Sequence, residues 1–215
     1  MLNGIPLFGD LNASQLDSIG AQLAMRVYEK GDVILRQGDI ADSLFIIVSG
    51  QAKVYMSDDN HREVIISTLS PGEFFGEVPL FDNEPRSASV AALDRCHVQS
   101  LSYKAFKKAV DRSPDIARRL MVTLAARLRH ADRQIGTLAL MNISSRVSRA
   151  LLELAIMSNG QRVVGEPFTQ KDLAGMVGAS REMVNRTLRD LTEQGFIAVH
   201  RKSITILNEN LPISF

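Results

Sequence analysis

The residues best equipped for chemistry lie between Gly72 and Ala91, in the stretch GEFFGEVPLFDNEPRSASVA. Gly76-Glu77 joins a turn glycine to a carboxylate that can accept from sugar hydroxyls. Arg86-Ser87-Ala88 offers a guanidinium, a hydroxyl and neighbouring amides that can donate to a phosphate. Pro85 stiffens the turn that presents Arg86. Together these groups fit a small ligand that carries both a sugar and a phosphate. The competing reading of Glu77 is a turn carboxylate paired with Arg86.

A second constellation runs from Thr169 to Gly195, TQKDLAGMVGASREMVNRTLRDLTEQG. Thr169 and Asp172 have the spacing of a capping box that opens a helix, and Gly178 can take the left-handed conformation that closes it. Ser180 then caps a second helix, with Val184, Leu188 and Leu191 on its buried face and Arg181, Glu182, Asn185, Arg186 and Arg189 away from it. Such an exposed face can enter the major groove of DNA, where arginine pairs bidentately with guanine and glutamate accepts from the cytosine amine. The alternative is a solvated helix on which Glu182 and Arg186, four residues apart, form a surface salt bridge. Phe196–Val199 and Ser203–Ile206, joined by His200-Arg201-Lys202, read as a two-stranded wing whose basic tip can touch a phosphate.

The elements that must position these groups are legible in outline. Short runs rich in Val, Ile, Phe and Tyr (VILR, SLFIIVSG, AKVYM, EVIISTL, HVQSL), separated by glycine and aspartate turns, predict an all-β unit of small-barrel or jelly-roll type. Leu11 to Met25 reads as an amphipathic helix in front of it. After Pro114 the period becomes helical, with Ile116, Leu120, Leu124, Leu128, Ile135 and Leu138 on one stripe. That stripe suits a coiled-coil dimer seam, or packing against the chain's own β unit. The helix is expected to break near Asn142-Ile143-Ser144. Arg146 to Met157 reads as the next helix, and SNGQRVVGEP as a turn with a strand. The predicted fold is α+β, divided into a β-roll over 1–112, a dimerisation helix over 113–142 and a winged helix-turn-helix over 143–215.

Charge sharpens this division. The net charge of the 215-residue chain is only +1, but residues 1–112 carry 11 basic and 15 acidic side chains, whereas 113–142 carry 5 and 2, and 143–215 carry 9 and 7. An acidic front and basic rear suggest different partners. The single cysteine, Cys96, excludes an internal disulfide and any Cys-rich zinc site or iron–sulfur cluster built within one chain. No apolar run approaches the length of a membrane span and no signal-type N-terminus is visible, so the chain is expected in the cytoplasm, without a membrane partner.

The order of β-roll, long helix and winged helix-turn-helix, with FGE…PRSA in the first part and VGASREMVNR in the last, resembles the cyclic-AMP receptor protein and fumarate–nitrate regulator (CRP/FNR) family. The resemblance covers essentially the whole chain. It implies that Gly76 and Glu77 take the ribose 2′-hydroxyl region and that Arg86, Ser87 and the Ala88 amide take the cyclic phosphate. It further implies that Arg181, Glu182 and Arg186 read bases, with Arg189 on the same DNA-binding face, and that Thr169 and Ser180 hold the phosphate backbone. The implied partners are a second copy of the chain through residues 113–142, double-stranded palindromic DNA with TGTGA-like half-sites, and RNA polymerase. No metal or cofactor is implied beyond the effector.

The chain departs from the cyclic-AMP pattern where that receptor presents a Thr-Ser pair to the adenine amine, since Ala131 and Asp132 stand there. Asp132 can accept from guanine N–H groups, and Arg129, three residues earlier, can donate to guanine's other edge. The pair resembles arrangements in cyclic di-GMP sites, and a subset of the family responds to that dinucleotide; an intrahelical salt bridge is the alternative. The effector is therefore cyclic di-GMP or cyclic AMP. A nucleotide-independent regulator with a vestigial pocket is the second reading. A hydrolase of cyclic nucleotides would need clustered His and Asp metal ligands, and none is visible among His61, His97, His130 and His200.

Overall fold

The computed structural model describes residues 4–59, 62–158, 160–200 and 203–213. The chain divides into two compact units, one built from residues 1–56 and 67–129 and the other from 57–66 and 130–215.

The first unit opens with a 3-10 turn at Pro6–Phe8 and helix α1 (Ala13–Gly20). A reciprocal box closes the start of α1: Gln15 N–H donates to Asn12 Oδ1 at 3.0 Å and Asn12 N–H donates to Gln15 Oε1 at 2.9 Å. The helix expected over Leu11–Met25 is thus shorter, because Met25 belongs to a strand. The strands that follow are β1 (Ala24–Tyr28), β2 (Val33–Leu35), β3 (Ser43–Ser49), β4 (Ala52–Ser57), β5 (Glu63–Leu69) and β6 (Phe74–Phe75). A single turn of helix, α2 (Pro79–Asp82), then precedes β7 (Ser89–Ala92) and β8 (Cys96–Ser102). They form two antiparallel sheets ordered β1-β8-β3-β6 and β2-β7-β4-β5.

Strand β3 shows why its run is apolar throughout rather than alternating. Successive side chains point to opposite faces, and here both faces are covered. Leu44 and Ile46 join Leu7, Phe8, Leu101 and Phe106 in one core cluster, while Phe45 and Ile47 join Ile34, Val90 and Val98 in another. Helix α3 (Tyr103–Arg112), which the sequence reading passed over, packs Ala105 and Phe106 onto the first cluster. Helix α4 (Pro114–Leu140) adds Ile116 and Leu120 to it. The N-terminal segment is clasped to α4 by Arg119, which donates to Pro6 O at 2.9 Å and forms a bidentate pair with Asp10. Those hydrogen bonds hold the Asp10 carboxyl below its ordinary range.

Cys96 is fully buried between the sheets, and its thiol donates to Gln51 O at 3.0 Å. Burial, reinforced by the Asp94 carboxylate, pushes it from 9.0 to about 11. At neutral pH it is a protonated, inert thiol, so alkylation by iodoacetamide followed by mass should stay negligible until the β-roll unfolds. Because the folded value lies above the unfolded one, its contribution to stability is intact below pH 9.0 and is lost as pH rises through about 11.

The second unit contains α5 (Ile143–Leu154), β9 (Ile156–Ser158), β10 (Gln161–Val164), α6 (Gln170–Val177), α7 (Arg181–Glu193), β11 (Ile197–His200) and β12 (Ser203–Ile206). The helix expected over Arg146–Met157 starts three residues earlier, where Asn142 caps Ser145 N–H, and Met157 lies in β9. Its strands form one antiparallel sheet ordered β11-β12-β10-β9. The three helices enclose Val147, Leu151, Leu173, Val177, Val184, Leu188 and Leu191 against Ile197 and Ile204 of the sheet. The segment 57–66 is part of this unit: Lys171 of α6 pairs with Glu63, and Ile65 Cγ1 would stand 3.1 Å from any Cβ placed at Gly175.

Candidate functional site

The ligand cradle is built by the turn after β6 and the loop that enters β7. Gly76 has φ +78, the left-handed region that glycine occupies without strain. Its carbonyl accepts from Arg86 Nη1 at 2.8 Å and from the Tyr103 hydroxyl at 2.5 Å. Arg86 Nη2 donates to Ser43 O at 2.8 Å, and the guanidinium carbon lies 5.6 Å from the Phe45 ring centroid. The Arg86 backbone is fixed as well, donating to Asp39 O and accepting from Gly38 N–H, each at 2.9 Å. Arg86 is 5% exposed, and among the described residues no carboxylate lies within ion-pair distance of it. A buried guanidinium held by carbonyl dipoles alone attracts an anion strongly. Burial raises the Tyr103 hydroxyl above its ordinary value, against the opposing pull of Arg86, so it stays a neutral donor. Ser87, exposed, and Ala88, half-buried, form the bend between Arg86 and β7.

Glu77 does not pair with Arg86. It is 1% exposed, and its Oε1 accepts from Arg127 Nη1 at 2.7 Å while Oε2 is buried with no hydrogen-bond partner. Arg127 also donates to the Phe74 carbonyl, and its guanidinium carbon lies 4.9 Å from the Phe74 ring centroid. The sequence reading missed Arg127 and Tyr103. A signal for the first was present: Arg127 falls eleven residues after Ile116 and seven after Leu120, on the inward stripe of α4, where a charge needs a buried partner. Nothing comparable marked Tyr103.

The rest of α4 divides the apolar stripe in two. Ile116 and Leu120 are buried, whereas Met121, Leu128 and Ile135, spaced by seven, are 62%, 64% and 66% exposed. Arg129 and Asp132 are both exposed, and the intrahelical salt bridge between them is not formed. His97 bonds Ser49 Oγ at 2.9 Å, and among the described residues no group of His, Cys, Asp or Glu can hold a metal.

In the second unit the capping expectations hold. Thr169 caps α6 with Asp172 in a reciprocal box, Gly178 closes it at φ 60, and Ser180 Oγ accepts from Met183 N–H at 3.2 Å to open α7. The Thr169 hydroxyl donates to Asp172 Oδ2 at 2.6 Å, so its proton is spent within the box, while that of Ser180 remains available. Val184, Thr187, Leu188 and Leu191 are buried, and Arg181, Glu182, Arg186 and Arg189 are exposed. The surface pair between Glu182 and Arg186 is absent, so the charged face of α7 is free of internal ion pairing among the described residues. The wing strands β11 and β12 pair from Ile197↔Ile206 to His200↔Ser203, and the basic tip at Arg201 and Lys202 lies outside the described residues.

An anion-seeking cradle in one unit and a charged, cap-fixed helix-turn-helix in the other define a ligand-responsive DNA-binding regulator. The family profile for the cyclic nucleotide-binding domain matches residues 25–113, and that for the Crp-like helix-turn-helix domain matches residues 145–211. The chain is 35% identical over 201 residues to the cAMP-activated global transcriptional regulator Vfr of Pseudomonas aeruginosa, covering 89% of this chain and 92% of that one. It is 34% identical over 186 residues to the cAMP-activated global transcriptional regulator CRP of Escherichia coli, covering 83% and 87%. The solved structure of CLP, the c-di-GMP responsive global regulator of Xanthomonas campestris, superposes with a TM-score of 0.83 at 26% identity over 92% of this chain and 100% of that one. The chain belongs to the CRP/FNR family of transcriptional regulators. No described helix is long and apolar enough to cross a membrane.

Proposed function

We propose that the chain is a cytoplasmic homodimeric regulator that binds a cyclic nucleotide in the Gly76–Ala88 cradle and palindromic DNA through α7. The observation that carries this reading is the unmatched pair of buried groups, Glu77 Oε2 without a donor and Arg86 without an anion. A ribose 2′-hydroxyl supplies the first and a cyclic phosphate the second, with Ser87 and the Ala88 amide completing the phosphate contact. The heptad-spaced Met121, Leu128 and Ile135 supply the seam on which a second copy docks. In α7, Arg181, Glu182 and Arg186 meet base edges of TGTGA-like half-sites, with Arg189 beside them, while Ser180 meets a phosphate directly and Thr169 does so once its hydroxyl turns away from Asp172; RNA polymerase is the further partner at the promoter.

For the effector, the exposed and mutually unpaired Arg129 and Asp132 favour a guanine base and hence cyclic di-GMP. The second reading is cyclic AMP, favoured by the cAMP-activated relatives. Calorimetric titration with cyclic AMP, cyclic GMP and cyclic di-GMP tests both. Arg86→Ala should abolish binding of whichever nucleotide binds and remove its effect on DNA affinity. Asp132→Ser should weaken only a guanine ligand. Binding of cyclic AMP alone, unaffected by Asp132→Ser, overturns the guanine reading, and DNA affinity indifferent to every nucleotide identifies the pocket as vestigial.

A further inference from the structure

Helix α7 turns one apolar side chain toward solvent in its first turn. Met183 is 49% exposed, in a helix whose other exposed positions there are Arg181, Glu182 and Arg186. A lone exposed hydrophobe is ordinary on a protein surface. Met183 differs in its location, because its N–H is the one capped by Ser180 Oγ, so the residue is fixed at the third helical position. At 1.5 Å of rise and 100° of turn per residue, it lies about 4.5 Å before Arg186 along the axis and about 60° around it, on the far flank from Arg181. It therefore flanks the charged face instead of joining Val184 and Leu188 in the core.

In the major groove the only apolar group on a base edge is the 5-methyl of thymine. The charged heads of arginine and glutamate gain nothing from it. A flexible, polarizable thioether chain can close on it and exclude water. We propose that Met183 is a specificity-determining residue that reads a thymine methyl at the base step beside the one Arg186 contacts. This rests on the reading that α7 enters the major groove, and the experiment separates the two.

A duplex is selected from a randomised library with the full-length protein and its bound nucleotide. Each thymine is then replaced by deoxyuridine, which removes only the methyl. Affinities are measured for the wild type and for Met183→Ala, Met183→Leu and Arg181→Ala. One deoxyuridine position should weaken the wild type about fourfold per half-site, the factor expected from burying one methyl. Met183→Ala should lose a similar factor on the thymine duplex and be indifferent to that replacement, whereas Met183→Leu, which keeps the apolar bulk, should retain the sensitivity. Wild-type binding that ignores deoxyuridine everywhere, or Met183→Ala that remains as sensitive as the wild type, overturns the methyl contact. If Arg181→Ala loses affinity on the selected duplex and not on a scrambled one, groove entry stands whatever the methyl result. Equal losses on both duplexes overturn the groove reading and the inference together.

Discussion

Arg127→Ala is expected to destabilise the β-roll by about 2–3 kcal/mol, a large loss for one residue that lies partly at the surface. Glu77 Oε1 is met by Arg127 alone and Oε2 by nothing, so truncation leaves a carboxylate at 1% exposure with neither oxygen satisfied. Breaking a buried ion pair from one side costs about 3–5 kcal/mol. The Arg127 side chain is 34% exposed, which lets water reach part of the vacated space and places the effect below that range. Urea unfolding of the nucleotide-free protein measures it. The double variant Arg127→Ala/Glu77→Gln should recover a substantial part of the loss, since a neutral amide is far cheaper to bury than a charge. An unchanged midpoint for Arg127→Ala would mean that the Glu77 carboxylate is solvated in solution. If a ligand hydroxyl binds Glu77 Oε2 as proposed, it acts on a carboxylate that α4 already holds through Arg127.

Gly76→Ala should abolish nucleotide binding, with affinity falling at least a hundredfold. Two effects combine at this position. The left-handed φ of +78 costs a residue with a Cβ about 1–2 kcal/mol. The new methyl also runs into Arg86 Nη1 and would stand 3.2 Å from Leu35 Cδ1, so the guanidinium must leave its two carbonyl partners. Gly38→Ala separates the contributions, because its φ is +87 and nothing lies within 4 Å of the added Cβ. It should show the backbone cost in unfolding with only a small change in calorimetric affinity. Equal affinity losses for the two variants would assign the effect to backbone strain alone. DNA binding in the absence of nucleotide should be unaltered in both.

The β-roll was legible because its apolar runs lie between turn residues that each begin a new strand. Strand β1 escaped because Met25 and Val27 are both 47% exposed, so Ala24–Tyr28 lacks the one-sided burial pattern that marks a half-buried strand. Helix α3 escaped because its pattern abuts β8 with Ser102 serving as last strand residue and N-cap at once. The helix-turn-helix was legible to its caps, since Thr169, Asp172, Gly178 and Ser180 act within four residues of their partners. The cradle was legible only as far as its chemistry is local. Gly76, Glu77 and Arg86 lie on one short stretch, whereas Arg127 meets Glu77 across 50 residues and Tyr103 meets Gly76 across 27. The long apolar stripe was a superposition of two: Leu128 follows Leu120 by eight residues, about 80° further around the helix, so Ile116 and Leu120 turn inward while Leu128 and Ile135 fall on the neighbouring outward row with Met121.

The inclusion of residues 57–66 in the second unit makes that unit discontinuous, and this orders its assembly in time. Glu63 leaves the ribosome 108 residues ahead of Lys171, and Ile65 precedes the position it crowds, Gly175, by 110. At translation speeds of about 5–20 residues per second, the hairpin between β4 and β5 waits several seconds for its counterpart. During that interval Val64, 44% exposed even in the finished fold, and Ile65 are held only by the pairing of β5 with β4. A nascent chain arrested before α6 should therefore be cut between Glu63 and Ile66 by a protease that leaves the completed chain intact at those bonds.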